Sequence, residues 1–200
     1  MALTLSLAVA LLMAGCGDDS NRTNFPELDE LSASQPASAG QLVISEIYYD
    51  PNPLVDTEGE WFEVYIPTSA LYSLEGCIIR DAGTDTHTVF TNVVVPPGAY
   101  ITLAAAQNPG FTPDYVHSSF TLGNGGDVVI VDCGGTVIDQ VAYTFGPFPG
   151  ATQASMTLMP GFLDATANDT GANWGPAASP SYIDQFGNTA FGTPGAANVC

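Results

Sequence analysis

Apolar residues along this chain fall into short runs rather than long stripes. From residue 41 onward, clusters of Val, Ile, Tyr, Phe and Thr recur, each ended by Gly, Pro, Asn or Asp. That is the pattern of strands separated by turns. It predicts strands near 42–48, 60–66, 76–81, 86–90, 99–104, 127–133, 136–143 and 155–159. No window of ten or more residues carries apolar positions at the helical period. Many short strands with frequent turns predict an all-β, mostly antiparallel sandwich or barrel. The clearest unit is a hairpin: Val128–Val131, then Gly134-Gly135, then Val137, Ile138, Val141 and Tyr143. Two residues able to take positive φ between strand runs favour a tight turn. In Glu60–Ile66 the alternation sets Phe62, Val64 and Ile66 on one face and Trp61, Glu63 and Tyr65 on the other. The Gly/Pro/Ala/Asn-rich stretch 161–200 is expected to pack on the domain as irregular coil.

The first residues follow another pattern. Ala2 to Ala14 are apolar except Thr4 and Ser6, and they lead into Met13-Ala14-Gly15-Cys16. The run is shorter than the ~20 residues that span a bilayer and suits a secretory signal. Small residues before a cysteine resemble the lipobox of bacterial lipoproteins. The resemblance implies a signal peptide over 1–15 and acylation of Cys16. Two features depart from the lipobox pattern: no Lys or Arg precedes the apolar run, and Met13 stands where Leu is usual. A plain cleaved signal and an unmodified Cys16 are the alternatives. Residues 16–40 carry Asp18, Asp19, Glu27, Asp29 and Glu30 against Arg22, with no sustained period. They read as an acidic, Ser/Pro-containing flexible tether.

Charge narrows the partners. The chain has 21 Asp and Glu against two basic residues, Arg22 and Arg80, and a net charge of -19. Nucleic-acid binding through clustered cations and docking on anionic lipid through a polybasic face are both excluded. Yet only 12% of residues are charged and 46% are apolar, so the chain is not an acidic disordered tail.

A family resemblance runs through the predicted sandwich. Residues 42–51 read Leu-Val-Ile-Ser-Glu-Ile-Tyr-Tyr-Asp-Pro, and 59–65 read Gly-Glu-Trp-Phe-Glu-Val-Tyr. Later come Leu74–Asp81, Val95-Pro96-Pro97-Gly98-Ala99-Tyr100, Leu122–Asp127 and Val137–Tyr143, in that order. This succession resembles the lamin-tail domain, an immunoglobulin-like β-sandwich. The likeness covers about 41–160, and Gly192–Asn198 is similar to the end of many secreted bacterial members. Ile66 departs from the Asn frequent in the family. The resemblance implies a binding or tethering role, with no catalytic module attached.

Cys77, Cys133 and Cys200 remain once Cys16 is assigned to lipid. Export would place them in a disulfide-permissive compartment. Cys77 and Cys133 both lie in strand runs, which makes a cross-strand or cross-sheet bridge the favoured reading. It would close a loop of about 57 residues, worth roughly 4 kcal/mol in the chain-entropy model. Two buried free thiols are the alternative, and Cys200 is left free or paired between molecules.

Candidate chemistry is sparse. His87 and His117 are read as surface or turn residues rather than catalytic ones. The concentrated resource is carboxylate: Glu46, Asp50, Asp56, Glu58, Glu60 and Glu63 lie close in sequence. A small hydrolase would rest on Glu46, Glu60 and Glu63. Calcium takes six to eight oxygen ligands, and the turn 50–59 could offer Asp50, Asp56 and Glu58. Asp164–Gly171 is a second such candidate, and neither follows the 12-residue calcium loop. The aromatic residues Trp61 and Tyr65, with Tyr48 or Tyr49 and the Phe145–Phe148 turn, could form a recognition surface for a protein or glycan. The sequence therefore points to a non-enzymatic protein held by lipid in the bacterial cell envelope, at the outer membrane or cell surface rather than in the cytoplasm. It needs no cofactor. A calcium-dependent adhesion module and an accessory domain of an extracellular hydrolase system are the alternatives.

Overall fold

The computed structural model of the chain describes residues 33–199. Cys16, most of the tether and Cys200 lie outside the described residues. Fourteen strands form between 43 and 191: β1 (Val43–Tyr48), β2 (Trp61–Tyr65), β3 (Tyr72–Ser73), β4 (Ile78–Arg80), β5 (Thr86–Thr88), β6 (Val94–Val95) and β7 (Tyr100–Ala104), then β8 (Tyr115–Val116), β9 (Gly126–Cys133), β10 (Thr136–Thr144), β11 (Met156–Leu158), β12 (Trp174–Pro176), β13 (Ser181–Ile183) and β14 (Thr189–Phe191). One helical turn, α1 (Asp56–Gly59), precedes β2.

A six-stranded sheet runs β12-β11-β1-β2-β7-β8, antiparallel except at β7–β8. A four-stranded antiparallel sheet runs β10-β9-β4-β5. The pairs β3–β6 and β13–β14 complete the fold. The core lies between the two larger sheets. Ile44, Ile47, Phe62, Val64 and Leu103 from one sheet meet Ile79, Val129, Val131, Ile138 and Val141 from the other. All eight predicted strands are present. The β9–β10 hairpin turns on Gly134 (φ 61°) and Gly135 (φ 84°), the paired left-handed residues of a tight turn.

Two bulges place polar side chains where strict alternation would not. In β1 the register slips between Ile44 and Glu46. The extra residue, Ser45, lets both Ser45 and Glu46 reach the carboxyl side of β2. In β10 it slips between Val137 and Asp139, and Asp139 is buried beside Ile138.

Cys77 and Cys133 form a disulfide, Cα atoms 4.3 Å apart. They stand one residue beyond the paired Ile78 and Asp132, so the bridge crosses adjacent strands β4 and β9 of one sheet.

The tail is not irregular coil. β12 extends the six-stranded sheet beside β11, and β13–β14 forms a hairpin. Trp174 is buried, its Nε1 donating to the Asn168 carbonyl (2.8 Å). Gly and Pro did not prevent pairing here because these strands are three residues long and β12 lies at a sheet edge.

Candidate functional site

The outer face of the six-stranded sheet carries the most concentrated chemistry. Register aligns Thr157 on β11, Glu46 on β1, Glu63 on β2 and Thr102 on β7 in one row across four strands. All four are buried. Over Glu46 and Glu63 the cover comes from the C-terminal segment, while Thr102 is bonded to Asp114. Glu46 Oε1 accepts the Thr193 N–H (2.9 Å) and the Ser155 hydroxyl, and its Oε2 accepts the Thr193 hydroxyl. Glu63 Oε1 accepts the Ser45 hydroxyl (2.8 Å), and its Oε2 accepts the Gly195 N–H (2.8 Å). Asn198 donates to the carbonyls of Ser45 (2.7 Å) and Leu158 (2.8 Å). A Cβ on Gly192 would stand 2.9 Å from Glu46 Oε1 and 3.1 Å from both Ser155 Oγ and Trp61. Only a residue without a side chain leaves that approach open.

Among the described residues, no Lys or Arg faces the pair. Arg80, the one Lys or Arg among the described residues, lies 3.5 Å from Asp132. Burial therefore raises both carboxyls. Glu63 is pushed up to about 9, first by burial and then by the charge of Glu46, against its bonds to Ser45 and Gly195. Glu46 is raised by burial, with Ser155 and Thr193 opposing. Neighbouring carboxyls with raised affinity for protons could do acid–base chemistry. Here all four oxygens are occupied by the chain's own donors, and neither side chain has exposed surface.

The next row on this face is aromatic. Tyr48 pairs with Trp61, and Trp61 with Ala104. Tyr48 stacks on Trp61 (centroids 5.7 Å), Phe111 meets Trp61 edge-on (5.5 Å), and Tyr182 meets Phe111 edge-on (5.6 Å). Trp61 Nε1 donates to the Tyr182 hydroxyl (3.0 Å). The alternation assigned the faces of β2 correctly, but the recognition surface expected at Trp61 and Tyr65 is not open. Trp61 is fully buried because the β13–β14 hairpin covers it, and Tyr65 is half-buried against Tyr100 (4.7 Å). Tyr48, Tyr49 and Phe148 are buried as well, while Phe145 is exposed.

A second polar node joins the sheets. Asp139 Oδ2 accepts the Ile44 N–H (2.6 Å) and the Asn168 amide (2.7 Å), and Oδ1 accepts the Gln140 N–H (2.8 Å). Asn168 also donates to the Ile44 carbonyl (3.2 Å). These side chains satisfy β1 backbone groups beyond the end of its ladder with β11. Burial pushes Asp139 up to about 7 against these bonds. A cleft of about 520 Å³ lies beside it, lined among others by Gly40, Gln140, Asp164 and Thr166. Asp164 is itself engaged with the N–H groups of Thr166 and Ala167.

Glu60 does not join Glu46 and Glu63. Its Oε2 accepts the Leu122 N–H (3.0 Å), while Oε1 is buried with no partner among the described residues. Burial pushes it up to about 8, with Asp56, Asp127 and Asp85 adding to the shift. The histidines are not surface residues. His87 is buried, bonded to the Tyr115 hydroxyl (2.7 Å) and the Ser118 N–H (3.2 Å). His117 lies among Phe62, Phe120 and His87 with neither ring nitrogen bonded. Burial lowers it to about 3.

The calcium candidates are dispersed. Asp50 accepts the Thr152 hydroxyl (2.6 Å), and Asp56 and Glu58 ride on α1. Among the described residues, no three His, Cys, Asp or Glu side chains gather to hold a metal ion. In the second candidate stretch, Asp164 and Asn168 are committed to the bonds described above. Sequence reasoning gave Ser45, Asp139, Thr193 and Asn198 no chemical role, and it read Asn168 as part of a calcium candidate rather than as the partner of Asp139. Thr193 and Asn198 sit in the closing motif, whose recurrence was the available signal.

The family model of the lamin tail domain matches residues 35–145. The chain belongs to the lamin tail domain family. Neither a curated protein nor a solved structure matches it significantly. The matched region ends after β10, so β11 to β14 and the clasping residues 193–198 lie beyond it. A lamin tail domain is an immunoglobulin-like binding or structural module, in accord with the two stacked sheets.

Proposed function

We propose that this protein is a non-catalytic, lipid-anchored component of the cell envelope whose lamin tail domain serves binding or structural tethering. The observation that carries this reading is how the buried acids are used. Glu46, Glu63 and Asp139 bind strand ends and the C-terminal segment through their oxygens, which is structural work. Cys16 supplies the attachment. Two or three acyl chains on one residue would hold it stably, where one would not.

The test is expression of the full chain in a bacterial host with labelled fatty acid. The label should enter the protein, and the protein should partition with membranes. Cys16→Ser should abolish both. Labelling that survives this substitution, or a wild-type chain that stays unlabelled and soluble, overturns the proposed anchoring.

A further inference from the structure

The Glu46/Glu63 pair differs from an ordinary buried carboxyl in where its donors come from. Three of its bonds are made by two residues of the C-terminal segment, Thr193 and Gly195. Asn198 fixes the end of that segment to β1 and β11. The paired acids occupy facing positions on adjacent strands. The other titratable groups acting on them are Tyr182 of β13 and Tyr100 of β7, with Asp114 ahead of β8. None is a cation, so nothing among the described residues around the site offsets a second negative charge. A single charge is well served on either acid, since the Thr193 N–H points at Glu46 and the Gly195 N–H at Glu63. Two charges on facing strands in a buried site repel, and exposure to solvent is the route to relief.

We propose that residues 192–198 form a proton-dependent clasp, closed while Glu46 and Glu63 hold at least one proton between them and released from the sheet face when both ionise. Release would open the polar row of β11, β1, β2 and β7 to water, at the edge of the Trp61 cluster that Gly192 abuts. The remainder of the sandwich has its own core and disulfide and stays folded. Since Glu63 holds its proton to about pH 9, release belongs to the alkaline side of neutrality.

Amide hydrogen exchange on the full chain tests this, with rates corrected for intrinsic base catalysis. Between pH 7 and pH 10, protection at Thr193 and Gly195 should fall at least tenfold while the β9 amides keep theirs. Glu63→Gln should hold that protection flat. The Gln amide can turn its oxygen to the Gly195 N–H and its nitrogen to Ser45 Oγ. Glu46→Gln also leaves a single acid, and serves if the first variant does not fold. Unchanged protection at Thr193 and Gly195 up to pH 10 overturns the proposal. So does loss in step with β9, which would mean global unfolding, and so does an unaltered pH profile in a folded Gln variant.

Discussion

Replacing Glu60 with Gln should remove a pH dependence whose size follows from its surroundings. The side chain has no exposed surface, one oxygen bonded to Leu122 and the other unpartnered. Its proton is held to about pH 8, against 4.5 for the ordinary group. Below pH 4.5 both the folded and unfolded chains carry the proton. Between 4.5 and 8 only the folded chain does. Stability must therefore fall as pH rises, by at most about 1.4 kcal/mol per unit. Integrated from pH 5 to pH 8, this is roughly 3 kcal/mol for the one group.

Gln has no proton to lose over this range. It does place an amide NH₂ where one oxygen now lacks a partner, at a cost on the order of 1–3 kcal/mol. That cost is the same at every pH and cancels from the slope. Denaturant unfolding of wild type and Glu60→Gln at pH 5, 6, 7 and 8 gives the difference directly. The variant should gain about 3 kcal/mol on wild type across the series, a relative Tm shift of roughly 6–12 °C. Parallel stability curves, within 1 kcal/mol by order of magnitude, would refute the argument that burial sets this group's proton affinity.

Cys77→Ser should lower stability by about 4 kcal/mol under oxidising conditions, from the loop that the bridge closes. The gap to wild type should close in reductant, and equal melting in both redox states would contradict it. Gly192→Ala should destabilise by about 1–3 kcal/mol, because the new methyl meets Glu46, Ser155 and Trp61 at 2.9–3.1 Å. Wild-type melting of that variant would mean the close approach relaxes freely. His117→Phe should flatten the acid limb of the stability curve. His117 is lowered to about 3, so its stabilising share is whole above pH 6.5 and is lost as pH falls towards 3. An unchanged acid limb in urea titrations from pH 6.5 to 4 would count against it.

The strands legible in the sequence were those with several β-formers in a row. β3, β6 and β8 have two residues each, and β12 to β14 have three. At that length no periodicity exists to be read; β4, β5 and β11 are as short but were legible because they sit in longer β-forming runs, whereas β12 to β14 lie in Gly/Pro/Ala/Asn-rich sequence. The face of Trp61 was legible and its burial was not, because the covering Tyr182 lies 121 residues away. His117 is followed by two polar residues in Val116-His117-Ser118-Ser119. The rings that bury it, Phe62 and Phe120, come from β2 and from the stretch before β9. Ser45 and Asp139 escaped for a different reason. Each lies at a bulge, where the period of two breaks. The candidate site was legible only in part: Glu46 and Glu63 stood out as acids, but their donors at Thr193 and Gly195 lie more than 130 residues further on.

The charge balance and the buried acids have one physical consequence. With two basic residues in 200, and Arg80 set beside Asp132, the buried carboxyls have no Lys or Arg to pair with among the described residues. Glu46, Glu60, Glu63 and Asp139 are all raised, and burial is the leading cause each time. A salt-bridged acid is lowered and stabilises as pH rises. These four act in the opposite sense: each weakens the fold progressively above about pH 4 to 4.5, through 7 for Asp139, 8 for Glu60 and 9 for Glu63. His117 limits the other side, weakening the fold below 6.5. Burial lowers His87 as well, but at pH 5.5 the four carboxyls outnumber the two histidines, so on these groups stability falls as pH rises through that value. The net charge of -19 works in the same direction, because self-repulsion shrinks as pH approaches the isoelectric point near 4.1. Gln or Asn at these positions would offer similar shapes without the pH dependence. At Glu46 and Glu63, carboxyls make the attachment of the C-terminal segment a function of protonation.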